Sequence, residues 1–234
     1  MNAPYGLQII ESCIECKLRQ GFCDFPSEVL KLFNCIGHKQ TYPAGSLLFA
    51  EGQTPRGILV LCSGRVKLST TSREGKVLIL KVAAPGEVLG LSAVLSGVCF
   101  EATAETVTPC RVNFVGRDAF VSFLGRSGEA GLRAARAVSK EYQDACLEIQ
   151  EILLAPSSAG KLAKLLLSWA DGNGNGREPR VRSMLTHEEM AQMIGASRET
   201  VTRVMTQLKR KQLIRLEGST LVIRNRTGLE QLAS

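Results

Sequence analysis

No stretch of this sequence approaches the roughly 20 consecutive apolar residues that a membrane-spanning helix needs. The amino terminus, MNAPYGLQIIESC, lacks the basic segment and following apolar core of a secretory signal peptide. Hydrophobic residues still make up 44% of the 234 positions, which is enough for two domains that each bury a core. We therefore expect a soluble, cytoplasmic protein that does not enter a membrane.

The sequence also lacks the usual signatures of an enzyme. It contains no G-x-G-x-x-G, no paired-carboxylate motif and no CxxC that opens a thioredoxin-like βαβ unit. Of its two histidines, His38 is isolated and His187 falls in the first turn of a predicted helix, which favours surface positions over metal ligation. These absences predict a binding protein and not a catalyst.

Positive charge is concentrated toward the carboxyl end. The chain has a formal charge of +7, and residues 157–234 hold 13 Lys and Arg against 7 Asp and Glu, a net of +6. A basic domain beside a nearly neutral one suits a polyanionic partner, with an affinity that falls as salt rises.

Residues 185–208 predict two short helices joined by a tight turn. Thr186 and Glu189 have the spacing of a capping box at the start of the first helix, and Gly195 suits the left-handed position that ends it. Ser197 is a good N-cap for the second helix. Charge on an exposed helix face is usually only solvated, but a helix-turn-helix with a basic outer face is also what major-groove recognition requires.

The second helix is amphipathic. Its apolar residues recur at 3- and 4-residue spacing between Val201 and Leu208 and predict a buried stripe. The opposite arc is polar. The residues that we expect to contact DNA are Thr186, Ser197, Arg198, Glu199, Thr202, Arg203 and Lys209.

Residues 213–225, LIRLEGSTLVIRN, predict two short strands around Glu217-Gly218, so that helix, turn, helix and hairpin make a winged helix. The run IGASRETVTRVMTQLKRKQLI and the hairpin after it resemble the DNA-binding domain of the Crp/Fnr family of bacterial transcription regulators. The resemblance implies a homodimer that binds palindromic double-stranded DNA and works with RNA polymerase.

The RETVTR run bears on which DNA sequence is read. Arginine matches guanine O6 and N7, and glutamate can only accept, which favours cytosine N4. RETVTR resembles Crp-type members that read TGTGA half-sites, whereas FNR-type members commonly carry an apolar residue in place of Arg198 and read TTGAT. The predicted site is therefore a palindrome of TGTGA-like half-sites.

Residues 42–114 contain short β-type segments separated by glycine turns, a pattern typical of a compact β-roll or barrel. Among these segments is EVLGLSAV, which we expect to be a strand. AGSLLFAEG, SGRVKL and PGEVLG resemble the double-stranded β-roll sensor domain of the same family, a cyclic-nucleotide-binding-like jelly roll.

The β-roll departs from the members that bind a cyclic nucleotide. Those members have an acidic residue that is followed some ten positions later by Arg-Ser or Arg-Thr. Here Leu91 stands near the place of the acid, and no arginine lies between Glu74 and Cys110. Because a buried phosphate without a charged partner is unfavourable, cyclic nucleotide binding is not expected.

Residues 117–154 predict a helical region. Its later part has an apolar stripe at alternating 4- and 3-residue spacing, formed by Val138, Tyr142, Ala145, Ile149 and Ile152. Such a stripe often packs on a neighbouring domain, but the family resemblance favours a long dimerisation helix. Pro156 ends the helix and predicts a hinge over residues 155–159.

These patterns predict an α+β protein with a β-roll, a long dimerisation helix and a carboxyl-terminal winged helix-turn-helix. The expected parts are a cysteine-rich segment (1–35), the β-roll sensor domain (36–116), the dimerisation helix region (117–155) and the winged-helix DNA-binding domain (156–234).

Cysteine is concentrated near the amino terminus. Four of the eight cysteines lie in the first 35 residues, and Cys13, Cys16 and Cys23 have C-x2-C-x6-C spacing. In a cytoplasmic protein such clustering favours metal or redox chemistry over structural disulfides. The centre that the thiolates bind is then an iron–sulfur cluster or zinc.

The segment FEATAETVTPCRVNF resembles the region of oxygen-sensing FNR-type members that carries the fourth cluster cysteine. The ligands that the resemblance implies for a 4Fe-4S cluster, switched by oxygen or redox state, are Cys13, Cys16, Cys23 and Cys110. This sequence has one extra residue between the second and third cysteines, and Cys35 or Cys99 is an alternative ligand. The other hypotheses are a thiol–disulfide or zinc switch, a small-molecule sensor without a cluster, and a cysteine-dependent redox enzyme that carries a winged helix.

Overall fold

The computed structural model describes residues 21–154, 157–171, 180–182, 185–218 and 220–233. The chain divides into two compact units between Gln143 and Asp144. The first unit contains two β-sheets flanked by helices, and the second is a winged helix-turn-helix. The α+β class and both predicted folds are confirmed.

The first unit is built on two four-stranded antiparallel sheets. Its strands are β1 Gly37–Tyr42, β2 Leu47–Phe49, β3 Gly57–Ser63, β4 Val66–Thr71, β5 Val77–Ala83, β6 Val88–Leu89, β7 Thr103–Thr106 and β8 Cys110–Gly116. The strand orders are β1-β8-β3-β6 and β2-β7-β4-β5. Strands that are distant in sequence, such as β1 and β8, are therefore neighbours, as in a jelly roll.

The sheet that contains β3 has a core on each face. Because side chains alternate along a strand, Ile58 and Val60 enter one core and Leu59 and Leu61 enter the other. The first, called here the helix-side core, is formed by Phe22, Phe25, Phe33, Ile58, Val60, Val88, Leu91, Val94, Val115, Phe120, Phe123, Ala130 and Ala134. The second, the roll core, is formed by Phe49, Leu59, Leu61, Val66, Ala83, Leu89, Ala93, Phe100, Ala104, Cys110 and Val112.

The segment EVLGLSAV is not one strand, and that prediction is wrong. The chain leaves β6 after Leu89 and forms the helix α2, Leu91–Ser96. Gly90 and Gly97 border this helix, both with φ near 76°, a left-handed conformation that favours glycine. A Cβ on Gly90 would also lie 2.5 Å from a ring carbon of Phe100. An apolar run of this length fits a strand or a helix, and the bordering glycines decide between them.

The other helices of this part of the chain are α1 Ser27–Ile36, α3 Arg117–Arg126 and α4 Gly128–Leu154. The predicted helical region is thus two helices, which meet at Ser127. The predicted hinge at residues 155–159 overlaps α5, which begins at Ser158, while Ala155 and Pro156 lie outside the described residues. None of the described helices, the 27-residue α4 included, is long and apolar enough to cross a membrane.

The second unit contains the predicted helix-turn-helix and wing. Its elements are α5 Ser158–Asp171, β9 Arg180–Arg182, α6 His187–Ile194, α7 Arg198–Arg210, β10 Ile214–Glu217, β11 Thr220–Ile223 and α8 Arg226–Ala233. The sheet order is β10-β11-β9, so the wing has a third strand that the sequence pattern did not predict. Helix α5 packs against α8, α7 and α6 and supplies the buried Leu162 and Leu166.

Candidate nucleic-acid interface

Helix α6 begins and ends as its local sequence predicts. The Thr186 hydroxyl accepts a hydrogen bond from the Glu189 amide at 3.2 Å, and the Glu189 carboxylate accepts from the Thr186 amide at 2.9 Å. This reciprocal capping box satisfies two backbone donors that the first turn leaves unpaired. Gly195 ends the helix with φ 65°. The turn that leads to α7 is therefore determined by neighbouring residues.

Helix α7 buries one face and exposes the other. The Ser197 hydroxyl caps it by accepting from the Thr200 amide at 3.2 Å. The predicted stripe of Val201, Val204, Met205 and Leu208 is buried. The opposite face lines one open depression, formed by Arg198, Glu199, Thr202, Arg203, Thr206, Gln207 and Arg210. Every candidate DNA-contacting residue that belongs to α7 is exposed, and Lys209 lies beside this depression in the last turn.

Glu199 is charged at neutral pH. Its own backbone N–H and then the Ser197 hydroxyl lower the pKa of the carboxyl below its usual value. Desolvation opposes them to a smaller extent, and Arg198 lowers the pKa slightly further. An ionised carboxylate accepts hydrogen bonds and donates none. Between two arginines, Glu199 is thus suited to a base that offers an amine.

His187 has a role that the sequence analysis missed. Its Nδ1 atom lies 3.0 Å from the Thr202 hydroxyl oxygen, a contact that the predicted surface position does not reveal. The bond joins the first residue of α6 to the exposed face of α7, fifteen positions along the chain. Helix periodicity cannot show this pairing because it depends on how the two helices cross.

Cys110 does not fit as a cluster ligand in this conformation. Its side chain is fully buried in the roll core, and its thiol donates to the carbonyl oxygens of Thr108 at 3.1 Å and Arg65 at 3.3 Å. A Cβ on Gly64 would lie 2.5 Å from Sγ, so the backbone also closes that side. Burial raises the pKa of the thiol, more than hydrogen bonding with the Arg65 backbone and the Thr108 side chain lowers it. A cluster needs the thiolate, which this environment disfavours.

Cys23 lies apart from Cys110. It is half-buried in a 3₁₀ turn, Gly21–Cys23, and packs against the helix-side core, on the other face of the sheet from the roll core. Cys13 and Cys16 lie outside the described residues. Among the described residues, no three His, Cys, Asp or Glu side chains come close enough to hold a metal ion. The alternative ligands Cys35 and Cys99 are both exposed.

The two positions at which nucleotide-binding members are expected to carry charged residues are apolar and buried here. Leu91 is 1% exposed and belongs to the helix-side core. Nine positions later, Phe100 is 6% exposed and stacks on Phe49 with ring centroids 3.9 Å apart. Neither side chain can neutralise an anion, and the aromatic pair occupies space inside the roll.

Two family models match the chain: a Crp-like helix-turn-helix domain over residues 160–232 and a cyclic nucleotide-binding domain over residues 39–127. Together with the exposed basic face of α7, this pairing defines a DNA-binding transcription regulator and not an enzyme. The chain belongs to the Crp/Fnr family, whose regulators bind DNA and function as dimers.

Similar proteins span nearly the same length at low identity. A "CRP-like cAMP-activated global transcriptional regulator" of Mycobacterium tuberculosis is 28% identical, over 82% of this chain and 86% of the relative. The "Cyclic AMP receptor protein" of Thermus thermophilus is 27% identical, over 83% and 88%. The structure of FixK2 from Bradyrhizobium japonicum has the same fold, with a TM-score of 0.76 at 20% identity over 85% of this chain and 98% of that one.

Proposed function

We propose that this protein is a homodimeric, cytoplasmic regulator that binds a palindrome of TGTGA-like half-sites through α7 and acts with RNA polymerase. The observation that carries the proposal is the exposed face of α7, where Arg198, Glu199 and Arg203 stand opposite a fully buried stripe. The first turns of such a helix are the part that enters the major groove. Lys209 suits a contact to a phosphate.

Selection from a random double-stranded DNA library tests the reading of bases. The selection is expected to return palindromes of TGTGA-like half-sites. Each of the two arginines binds a guanine, and the glutamate binds a cytosine. Recovery of TTGAT half-sites, or of sites without a central G·C pair, would contradict the role given to Arg198.

Exposed apolar residues on α4 support the dimer. Tyr142 is 72% exposed and Ile149 57% exposed, and Ala145 between them is also exposed. Val138 was predicted to belong to this stripe, but its side chain packs against the helix-side core. The side chain of Ile152 is outside the described part. An apolar stripe at this spacing can be buried against the same stripe of a second copy. A two-fold dimer also presents two recognition helices about 34 Å apart.

Ile149→Glu is expected to make the protein monomeric, because a buried carboxylate at the two-fold seam has no opposite charge to pair with. Sedimentation equilibrium under anaerobic conditions, with DNA present, measures the change. Val121→Glu is the matched control, since Val121 is 47% exposed on α3, outside the seam. A wild-type protein that remains monomeric there, or an Ile149→Glu dimer, would contradict the proposed interface.

The proposed input is oxygen or redox chemistry at the amino-terminal cysteines, with a 4Fe-4S cluster as the predicted cofactor. The support is the spacing of Cys13, Cys16 and Cys23, since three thiols within eleven residues are hard to explain by packing. The buried position of Cys110 speaks against it as the fourth ligand. Cys35 and Cys99, both exposed, are better candidates for that place.

Spectra of anaerobically purified variants test the ligand set. Cys23→Ser is expected to remove the broad absorbance at about 400 nm that a cluster produces, because a lost thiolate leaves one iron open to solvent. Cys110→Ser is expected to keep it, since the Cys110 side chain is buried in the roll core and its thiol contacts backbone carbonyl oxygens. Bleaching by Cys110→Ser would mean that this thiol leaves the roll core in the loaded protein. If the wild type shows no such absorbance, the proposal of a bound cluster is wrong.

The second candidate input is a cyclic nucleotide, which the names of the relatives favour. The buried Leu91 and Phe100 oppose it, because a bound phosphate would lack a charged partner. A ligand that binds only the folded state raises the melting temperature. A rise on adding cyclic AMP would therefore favour this candidate over the redox input.

A further inference from the structure

The hydrogen bond between His187 and Thr202 lies within the proposed reading surface. Thr202 is exposed on α7 and lines the same depression as Arg198, Glu199 and Arg203. Its hydroxyl oxygen is 3.0 Å from Nδ1 of His187, which projects from the first position of α6. In a helix the threonine side chain divides between two rotamers, and this bond selects one of them.

The bond also determines what Thr202 can offer to DNA. A hydroxyl has one proton and two lone pairs, and a neutral imidazole has one N–H and one acceptor nitrogen. If Nδ1 accepts, the Thr202 proton points at His187 and the oxygen can only accept from a base. If Nδ1 carries the proton, Thr202 remains able to donate. The tautomer of His187 therefore decides which bases fit Thr202.

In helix-turn-helix docking the first helix crosses the DNA backbone, which would bring His187, at the start of α6, near phosphates and favour the first arrangement. Phosphate oxygens are acceptors only, so an imidazole beside them is more stable with its proton on the nitrogen that faces them. With Nδ1 directed at Thr202, that nitrogen is Nε2. The neighbouring hydroxyl on the same face is similarly engaged, since Thr206 donates to the Thr202 carbonyl at 2.9 Å.

We propose that His187 is a specificity-determining positioning residue: its Nδ1 accepts the Thr202 proton, and Thr202 then selects a base with an exocyclic amine, cytosine N4 or adenine N6. This inference rests on the proposed function, because it assumes that α7 reads bases. It adds one position to each half-site beyond those read by the two arginines and Glu199.

Selection from a random DNA library with wild type, His187→Ala, His187→Asn and Thr202→Val tests the proposal. The wild type is expected to prefer an amine-bearing base at one further position, by about three- to tenfold, the range of one hydrogen bond. His187→Ala and Thr202→Val are each expected to remove that preference and to leave the other positions unchanged. The double variant should lose no more than either single one, because the residues act as one unit.

His187→Asn is the conservative variant. Its Oδ1 atom is as many bonds from the backbone as Nδ1 and can accept the same proton, so the preference should return. Uniform weakening at every position in His187→Ala, an unchanged preference in Thr202→Val, or a wild type with no preference at any further position would overturn the proposal. Thermal unfolding of each variant identifies a simple loss of folding. Failure of the wild type to select any site would instead contradict the proposed function.

Discussion

Arg203→Ala is expected to lower the affinity of the dimer for its palindrome by about 2–6 kcal/mol, which is about 1–3 kcal/mol in each of two half-sites. Arg203 is exposed on α7, next to Thr202 and one turn from Glu199. An arginine fork binds guanine O6 and N7 together, and alanine leaves both acceptors without a partner. Competition binding at fixed salt measures the loss against each base at that position.

The choice of base separates this role from simple charge. At the position where the wild type selects guanine through Arg203, Arg203→Ala should bind sites with any of the four bases with similar affinity. Lys209→Ala is the matched control, because it removes the same charge from the last turn of α7. It should weaken all sequences alike and reduce the slope of log affinity against log salt by about 2, which is about 1 in each of two half-sites. If Arg203→Ala instead behaves like Lys209→Ala, Arg203 contacts a phosphate and does not read a base.

Gly64→Ala is expected to lower the free energy of unfolding by about 2–5 kcal/mol. Gly64 has φ 94°, which a side chain disfavours. The added methyl would also lie 2.5 Å from the Cys110 sulfur and 2.6 Å from the Pro109 carbonyl oxygen. The segment that contains Pro109 and Cys110 can move away from the methyl group only at a cost in stability, because Cys110 belongs to the roll core. Urea unfolding of the two proteins measures the difference.

Gly45→Ala separates backbone strain from crowding. Gly45 has φ 76°, but nothing lies within 4 Å of the position that its Cβ would take. The free energy of unfolding of Gly45→Ala should therefore fall only by the cost of the left-handed backbone conformation, about 1–2 kcal/mol. Equal losses in the two variants would show that the contact with Cys110 contributes little and that the roll core tolerates a methyl group at residue 64.

Local chemistry made the helix-turn-helix predictable. Thr186 and Ser197 cap the two helices through amides three residues away, and Gly195 takes the left-handed position between them. These bonds join residues within one turn, so their spacing in the sequence is also their spacing in space. The buried stripe of α7 follows from helix periodicity, which assigns the arginines to the opposite face.

The features that the sequence pattern did not predict have different physical causes. The sequence pattern of EVLGLSAV fits a strand as well as a helix, and β9 has too few residues to show a period. The pairing of His187 with Thr202 follows from how α6 crosses α7. None of these relations is present in the spacing of residues along one element.

The cysteines show most clearly the difference between what the sequence predicts and what the tertiary structure decides. The spacing of the amino-terminal cysteines is a property of the sequence alone, and the resemblance to FNR-type members implied that Cys23 and Cys110 act together. Whether two thiols can meet depends on the sheet between them. Side chains alternate along β8, so Cys110 enters the roll core, while Cys23 packs on the helix-side core of the opposite face. The sequence therefore determined which residues are chemically able to bind metal or DNA, and the tertiary structure decided which of them are brought together.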